Sequence, residues 1–252
     1  MIIFNEKDYA ERVIKSGYFQ TLKYQGQERR AVAKYLKYEK GYDNQQIRDA
    51  ITGIKSRRKE MYDEDIWDGI MDKLIVNYDK SEYLCDIKVC ISQSELDIVL
   101  SQPTIEMRNL LFVLLVYYKW AVQTREKSFI RKEHIWVREA DLDCCKLAHL
   151  DKLKRDERIS LFGALYRTNL YNTDYVRKYR NIFTLTFIDD NEPVIVIKDF
   201  HDILAYLENY LDPSSCLHCS ECGSLICKTG RNHKMCSSCR NNRRHQKAAT
   251  LK

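Results

Sequence analysis

The sequence predicts a mainly α-helical protein with one small β-hairpin and a cysteine-rich segment at its C-terminal end. Apolar residues recur at helical spacing through most of the chain, and capping signals precede several of these stretches. Only 3 prolines and 8 glycines occur among 252 residues, so few positions interrupt the helices. Two Cys-x-x-Cys pairs lie close to the end of the chain. These observations predict a helical N-terminal domain, a winged-helix-like middle domain and a C-terminal treble-clef-like finger.

Residues 1–78 are predicted to form the helical N-terminal domain. Gly17 is a stop signal for the first helix, and a second helix is predicted over 27–40. Asp43, followed three residues later by a glutamine, matches the capping box of a third helix. A fourth helix is predicted to start near Asp63. No catalytic constellation stands out in this domain.

Residues 79–100 are predicted to connect this domain to the next one. The connector contains an extended stretch at 84–91, rich in apolar residues. Ser92 and Glu95 then form a capping-box pattern that opens a short helix.

The middle domain, residues 101–212, is predicted to resemble a winged helix. Its helices are predicted at 104–123, 139–147, 151–167 and 199–211. Two β-branched stretches, 182–188 and 194–197, are joined by a turn and predict a hairpin. Three helices followed by a hairpin is the order of a winged helix, a relative of the helix-turn-helix fold.

In this arrangement the helix at 151–167 would be the recognition helix that enters a DNA groove. Its apolar residues Ile159, Phe162 and Leu165 would face the core. Acidic residues are interleaved with its basic ones, so the predicted face is mixed, and winged helices also serve in protein docking. The basic residues of its first half are Lys152, Lys154, Arg155 and Arg158.

The last segment, residues 213–252, carries the two cysteine pairs, which thirteen residues separate. Pairs with this spacing aim four thiolates at one point, which is the ligand set of a structural Zn²⁺ site. Gly223 follows the first pair, where the turn commonly needs a residue that tolerates positive φ. Cys216 and Cys227 lie close by, so either of them could replace a ligand. The predicted ligands are Cys219, Cys222, Cys236 and Cys239.

A disulfide framework is the alternative explanation for these cysteines, and it would need an oxidising compartment. The chain begins without a charged and then apolar leader, so we expect a cytoplasmic protein with reduced thiols. The longest apolar run, 110–118, is too short to cross a membrane. We therefore expect no membrane partner.

The charge of the chain is concentrated at its end. Residues 216–252 hold eight Lys/Arg and one Glu, a net charge of +7, whereas the other residues hold 34 Lys/Arg and 35 Asp/Glu, a net charge of −1. A basic module on a nearly neutral body predicts a polyanionic partner. The alternative is a basic helix that docks on the protein's own acidic surface. The second cysteine pair opens a basic run, residues 240–247, which is predicted to form a short terminal helix. Its predicted phosphate contacts are Arg240, Arg243, Arg244 and Lys247.

Several segments resemble a family of uncharacterised proteins from phages and prophages of Gram-positive bacteria that end in a treble-clef-like zinc finger with four cysteine ligands. The resemblance covers most of the chain, and the finger is its specific part. It implies a phage or mobile-element setting and a zinc finger, but no activity. The matching segments are 34–41 with the helix that follows, 91–97, the helix at 110–120, and the ending 219–239.

Together these features predict a nucleic-acid-binding accessory or regulatory protein of a phage or mobile element, with DNA as the preferred partner over RNA. The alternative is a phage protein-interaction factor that binds and redirects or inhibits a host or defence protein complex. The sequence contains no Gly-rich phosphate loop and no His-Glu-x-x-His motif. We therefore expect no enzymatic activity and no small-molecule substrate.

Overall fold

The computed structural model is mainly helical, with 58% helix and 11% strand, which confirms the predicted fold class at this level. The chain divides into an N-terminal unit, residues 3–87, and a C-terminal unit that begins at residue 88. This boundary falls within the stretch 79–100 that was predicted to be a connector. The structure describes residues 3–19, 25–55, 63–124, 135–136, 140–176, 180–228, 230, 234–237, 239–241 and 243.

The described part of the N-terminal unit consists mainly of helices whose ends follow local capping rules. The Asp43 side chain accepts a hydrogen bond from the backbone N–H of Gln46, and the Gln46 side chain accepts one from the backbone N–H of Asp43, so the predicted capping box is confirmed. Gly17 adopts a left-handed φ of 70° at the end of the first helix. The helices are α1 (Glu6–Ser16), α2 (Gln25–Lys40), α3 (Asn44–Gly53) and α4 (Glu64–Asn77).

A buried ion pair ties the start of this unit to its end. The side chain of Lys34 is 2% exposed, and its Nζ donates to Glu6 Oε1 at 3.0 Å and to Ser81 Oγ at 2.9 Å. The backbone N–H of Leu84 donates to Glu6 Oε2 at 2.9 Å. Because these bonds satisfy both buried charges, residues 81–84 belong to the N-terminal unit and not to a free linker.

In its described part, the C-terminal unit combines helices with three small antiparallel sheets. Its helices are α5 (Gln93–Leu100), α6 (Ile105–Thr124), α7 (Ala140–Leu147), α8 (Arg155–Arg167) and α9 (Ile203–Leu211). Its strands are β1 (Val89–Ser92), β2 (Ile135–Trp136), β3 (Tyr171–Val176), β4 (Arg180–Leu185), β5 (Pro193–Ile197), β6 (Cys216–His218) and β7 (Leu225–Cys227).

Helix α6 is the centre of this unit. Every residue from 110 to 118 is buried, as the apolar run predicted. The centre of the Phe183 ring on β4 lies 6.2 Å from the ring centre of Tyr117, 6.1 Å from that of Tyr118 and 5.4 Å from that of Tyr171. This aromatic cluster packs the sheet of β4 against α6.

The strand pairing differs from the sequence-based prediction. Strand β4 lies in the middle of a three-stranded sheet in the order β2-β4-β3, and β5 pairs with β1. The predicted hairpin between 182–188 and 194–197 is therefore wrong. The true hairpin joins β3 to β4, and the second strand of the predicted hairpin crosses to a partner about 100 residues earlier in the chain.

An ion pair between Glu95 and Lys119 holds the loop after β4. Glu95 is fully buried, and its carboxylate accepts from Lys119 Nζ at 2.7 Å and from the backbone N–H of Asp189 at 3.1 Å. Lys119 Nζ also donates to the carbonyl oxygen of Asp189 at 3.0 Å. With the loop bound to α5 and α6, the strand that follows it continues beside β1 and not beside β4.

Candidate metal centre

The first cysteine pair lies in the tight connection between β6 and β7. The N–H of Cys219 donates to the carbonyl of Ser224 at 2.8 Å, and the N–H of Gly223 donates to the carbonyl of Cys219 at 2.9 Å. Gly223 has a φ of 74°, so the predicted need for positive φ after this pair is confirmed. The turn places the thiols of Cys219 and Cys222 on the same side.

The second cysteine pair lies at the start of a helical turn. The backbone N–H of Arg240 donates to the carbonyl of Cys236 at 3.0 Å, and residues 237, 239–241 and 243 are helical. The N–H of Cys236 itself donates to Cys219 Sγ at 3.3 Å. This bond links the second pair directly to the first.

The four predicted thiols lie together. The sulfur atoms of Cys219, Cys222, Cys236 and Cys239 all lie within 4.8 Å of one another, and those of Cys222 and Cys236 are 3.9 Å apart. Four sulfurs at the metal–sulfur distance of a tetrahedral zinc site are about 3.8 Å apart. The cluster can therefore hold a metal ion with only small adjustments.

Burial and hydrogen bonding shift the pKa values of these thiols in opposite directions. Burial by itself would raise the pKa of Cys219, but backbone N–H groups, that of Cys236 foremost, lower this pKa to about 6. Burial raises the pKa of Cys236 to about 11, and it also raises the pKa of Cys239. Because the pKa values of Cys236 and Cys239 are raised, binding of a metal ion by these two thiols requires proton release.

The two alternative ligands, Cys216 and Cys227, lie outside this cluster. They are free thiols that lie opposite each other on the antiparallel strands β6 and β7. Cys216 Sγ donates to the carbonyl of Ala205 on α9 at 3.4 Å. Burial, followed by the nearby carboxylate of Asp202, raises the pKa of the Cys227 thiol. These two cysteines therefore help to join the hairpin to α9.

Of the basic residues predicted on the terminal helix, Arg240 and Arg243 are described and exposed. Arg240 Nη2 donates to the carbonyl of Met235 at 3.3 Å, and Arg243 Nη1 lies 3.9 Å from the Met235 sulfur. Both cations therefore lie next to the cysteine cluster, held by a residue that the sequence analysis did not single out. Arg244 and Lys247 lie outside the described residues.

The basic residues of the predicted recognition helix occupy different positions from those expected. Helix α8 starts at Arg155 and not at 151, so Lys152 and Lys154 precede it. Three of the four basic side chains are exposed, but Arg158 is half-buried and donates from Nη1 to the carbonyl of Leu153 at 3.3 Å. Helix α8 packs on α6 and β3, whereas the hairpin of β6 and β7 packs on α9.

The prediction of which α8 residues face the core is also only partly right. Leu165 is fully buried, and the ring of Phe162 lies 5.9 Å from that of Tyr171. Ile159 was predicted to face the core, and this is wrong because it is 59% exposed. The first two turns of α8 therefore present an apolar side chain among charged ones.

No protein-family model, curated protein or solved structure matches the chain. The functional argument therefore rests on the residues of the sites themselves. Among the described helices, none has the length and apolarity needed to span a lipid bilayer.

Proposed function

We propose that the protein binds nucleic acid, with DNA as the expected partner, and acts as an accessory or regulatory factor. The observation that carries this proposal is the separation of charge, +7 in residues 216–252 against −1 in the rest of the chain. Phosphate backbones attract such a module at any sequence and supply much of the binding free energy. The phage or mobile-element setting rests on the sequence resemblance alone.

The metal in this proposal is a structural Zn²⁺ held by Cys219, Cys222, Cys236 and Cys239. Four thiolates in a tetrahedral arrangement are the ligand set of closed, structural zinc sites and leave no position for a substrate. The bound ion would join the start of the basic helix to the hairpin. The arginines that follow the second pair would then have a defined orientation.

A second contact surface is proposed on α8. The chain order α6, β2, α7, α8, β3, β4, with β4 between β2 and β3, supports the interpretation of this part as a winged helix. In that fold the helix equivalent to α8 enters the major groove. Lys154 and Arg155, at its start, are exposed and available to a phosphate or a base edge.

Protein docking is the second candidate, and one feature of α8 favours it. Ile159 and Tyr166 are 59% and 52% exposed, and Asp156 and Glu157 lie in the first turn of the same helix. Apolar side chains bordered by charges of both signs are more typical of a protein-binding surface. Under this candidate, α8 would bind a host protein complex while the finger supplies the contact to nucleic acid or to an acidic protein.

A salt series of binding curves on several DNA duplexes tests the proposal. The variant in which Arg240, Arg243, Arg244 and Lys247 are replaced by Gln should flatten the slope of log affinity against log salt by roughly 3 to 4 units. Because phosphate contacts carry little sequence information, the loss should be similar on all duplexes.

Two further variants provide the comparison. Lys88→Gln with Lys198→Gln removes exposed cations of the same unit outside the finger and should leave the slope nearly unchanged. Lys154→Gln with Arg155→Gln should change the preference among duplexes if α8 enters a groove. A wild-type protein that binds neither DNA nor RNA at ~50 mM salt would contradict the proposal and leave protein docking as the better account.

A further inference from the structure

The N-terminal unit contains an open groove between α2 and α4, with a volume of about 460 Å³. Among the described residues that line it, four are basic and none is acidic. The basic residues are Arg29, Arg30, Lys73 and Lys80, and the apolar side chains of Ile70 and Leu74 lie beside them.

Helical spacing brings these residues to one face of each helix. Arg29 and Arg30 follow Gly26 on α2 at three and four positions, and Lys73 and Leu74 follow Ile70 on α4 in the same way. Residues three and four positions apart lie on the same side of a helix. Lys80 enters from the turn that follows α4.

Among the described residues, the acidic neighbours of the groove pair with cations other than Arg30, Lys73 and Lys80. Asp68 and Asp72 on α4 bind Arg48 instead, at 3.1 Å and 2.5 Å. Asp79, next to Lys80 in the chain, binds Lys37 at 2.5 Å. Within the described part of the chain, no carboxylate lies within 4.0 Å of the charged groups of the three outer cations, Arg30, Lys73 and Lys80.

The fourth cation that lines the groove, Arg29, is buried and held by its neighbours. Arg29 is 5% exposed, its Nη2 donates to Gln25 Oε1 at 2.8 Å, and its guanidinium lies 4.7 Å from the ring centre of Trp67. A cation fixed in this way contributes positive potential without losing side-chain entropy when a ligand binds.

We propose that this groove binds the phosphate group of a nucleotide. Three exposed cations and a fourth, fixed one give the groove a positive charge that attracts a phosphate group, and guanidinium groups pair with phosphate oxygens in a bidentate manner. The apolar surface of Ile70 and Leu74 offers a place for the base. The volume falls within the range of about 300–1,000 Å³ that is typical of small-ligand sites.

The nucleotide can be a free molecule or part of a nucleic acid chain, and the chemistry of the contact is the same. This site lies in a different unit from the zinc finger and goes beyond the function proposed above. The binding experiments should therefore use the full-length, zinc-loaded protein in which the four basic residues of the terminal helix are already replaced by Gln. Binding that remains in this background does not come from the finger.

The probes are ATP, inorganic pyrophosphate, adenosine and a short single-stranded oligonucleotide, each measured by isothermal titration calorimetry. Phosphate-bearing probes should bind and adenosine should not. Replacing Arg30 and Lys73 by Gln should weaken binding about tenfold or more for each lost cation. The matched control replaces Lys15 and Lys40, exposed lysines of the same unit outside the groove, and should bind as the parent does.

The variant Gly26→Glu distinguishes a loss of phosphate binding from a loss of folding. Gly26 is the second residue of α2, and a Cβ there would meet no heavy atom within 4 Å. A carboxylate in the first turn favours the helix, and glutamate has a higher helix propensity than glycine. The variant should therefore be as stable as the parent or more stable, yet it should lose phosphate binding through charge repulsion.

The outcomes distinguish the two sources of the phosphate. Binding of ATP and pyrophosphate that the groove variants abolish assigns the site to a free nucleotide. Binding of the oligonucleotide alone, with the same loss in the groove variants, assigns it to a nucleic acid chain. If no phosphate probe binds, or if the groove and control variants bind equally, the proposal is wrong whatever the finger does.

Discussion

Replacing Gly223 by alanine should weaken zinc binding by roughly 5- to 30-fold, because the left-handed backbone costs an L-residue about 1–2 kcal/mol and about 1.4 kcal/mol corresponds to a factor of ten. The φ of this residue is 74°. An added Cβ would meet no heavy atom within 4 Å, so the cost comes from backbone strain and not from a steric clash. The strain would lower the affinity for the proposed zinc ion, because metal binding and folding of a small finger of this kind are one process.

A competition titration against a chromophoric zinc chelator measures this effect. Gly223→Asn should recover part of the lost affinity, since asparagine tolerates the left-handed region better than alanine. Gly17→Ala imposes the same strain at a φ of 70° in the N-terminal unit and should leave zinc affinity unchanged. Equal zinc affinity of Gly223→Ala and wild type would refute the link between this turn and the metal site.

Three further outcomes are expected. Cys236→Ser should lose the zinc ion in metal analysis, whereas Cys216→Ser should keep it because that thiol faces α9. Glu95→Gln leaves a buried ammonium partner without its counter-charge and should destabilise α6 by about 3 kcal/mol or more, measured by hydrogen exchange. Glu208→Gln, the same change in a partly exposed ion pair, should cost no more than about 1 kcal/mol, and an equal cost for both would contradict the burial argument. A chain of residues 1–212 should remain soluble and helical by circular dichroism, since the core helix α6 precedes the finger.

The features that were predictable from the sequence depend on neighbouring residues. The capping boxes at Asp43 and Ser92 each involve side chains three positions apart, and both form as expected. The thiol cluster was predictable for a related reason. Each Cys-x-x-Cys pair lies within one turn, so the site is complete once the two turns come together. The left-handed Gly223 follows from the same turn.

The strand pairing and the groove of the N-terminal unit were not predicted from the sequence, because both depend on residues that are distant in the chain. Nothing near 194–197 in the sequence indicates that this strand pairs with residues 89–92, because strand pairing has no local signal beyond alternation. The contact of Glu95 with Lys119 and Asp189, which holds the loop before this strand, brings together three segments that are up to 94 residues apart. The groove of the N-terminal unit was overlooked for the same reason, since its cations come from two helices and a turn.

The two halves of the finger are attached to the molecule in different ways, and this determines what the metal does. The hairpin is fixed to α9 without any metal, through the thiol of Cys216 and through the backbone N–H of Cys227, which donates to Asp202 at 3.5 Å. Among the described residues, the second cysteine pair reaches the hairpin through weak contacts. The N–H of Cys236 donates to Cys219 Sγ, the N–H of Ser220 donates to the carbonyl of residue 234, and the sulfur atoms of Cys222 and Cys236 lie 3.9 Å apart. Contacts of this kind are weak compared with four metal–thiolate bonds. The proposed zinc ion would therefore do more than stabilise the finger, because it would fix the direction in which the basic helix leaves the C-terminal unit.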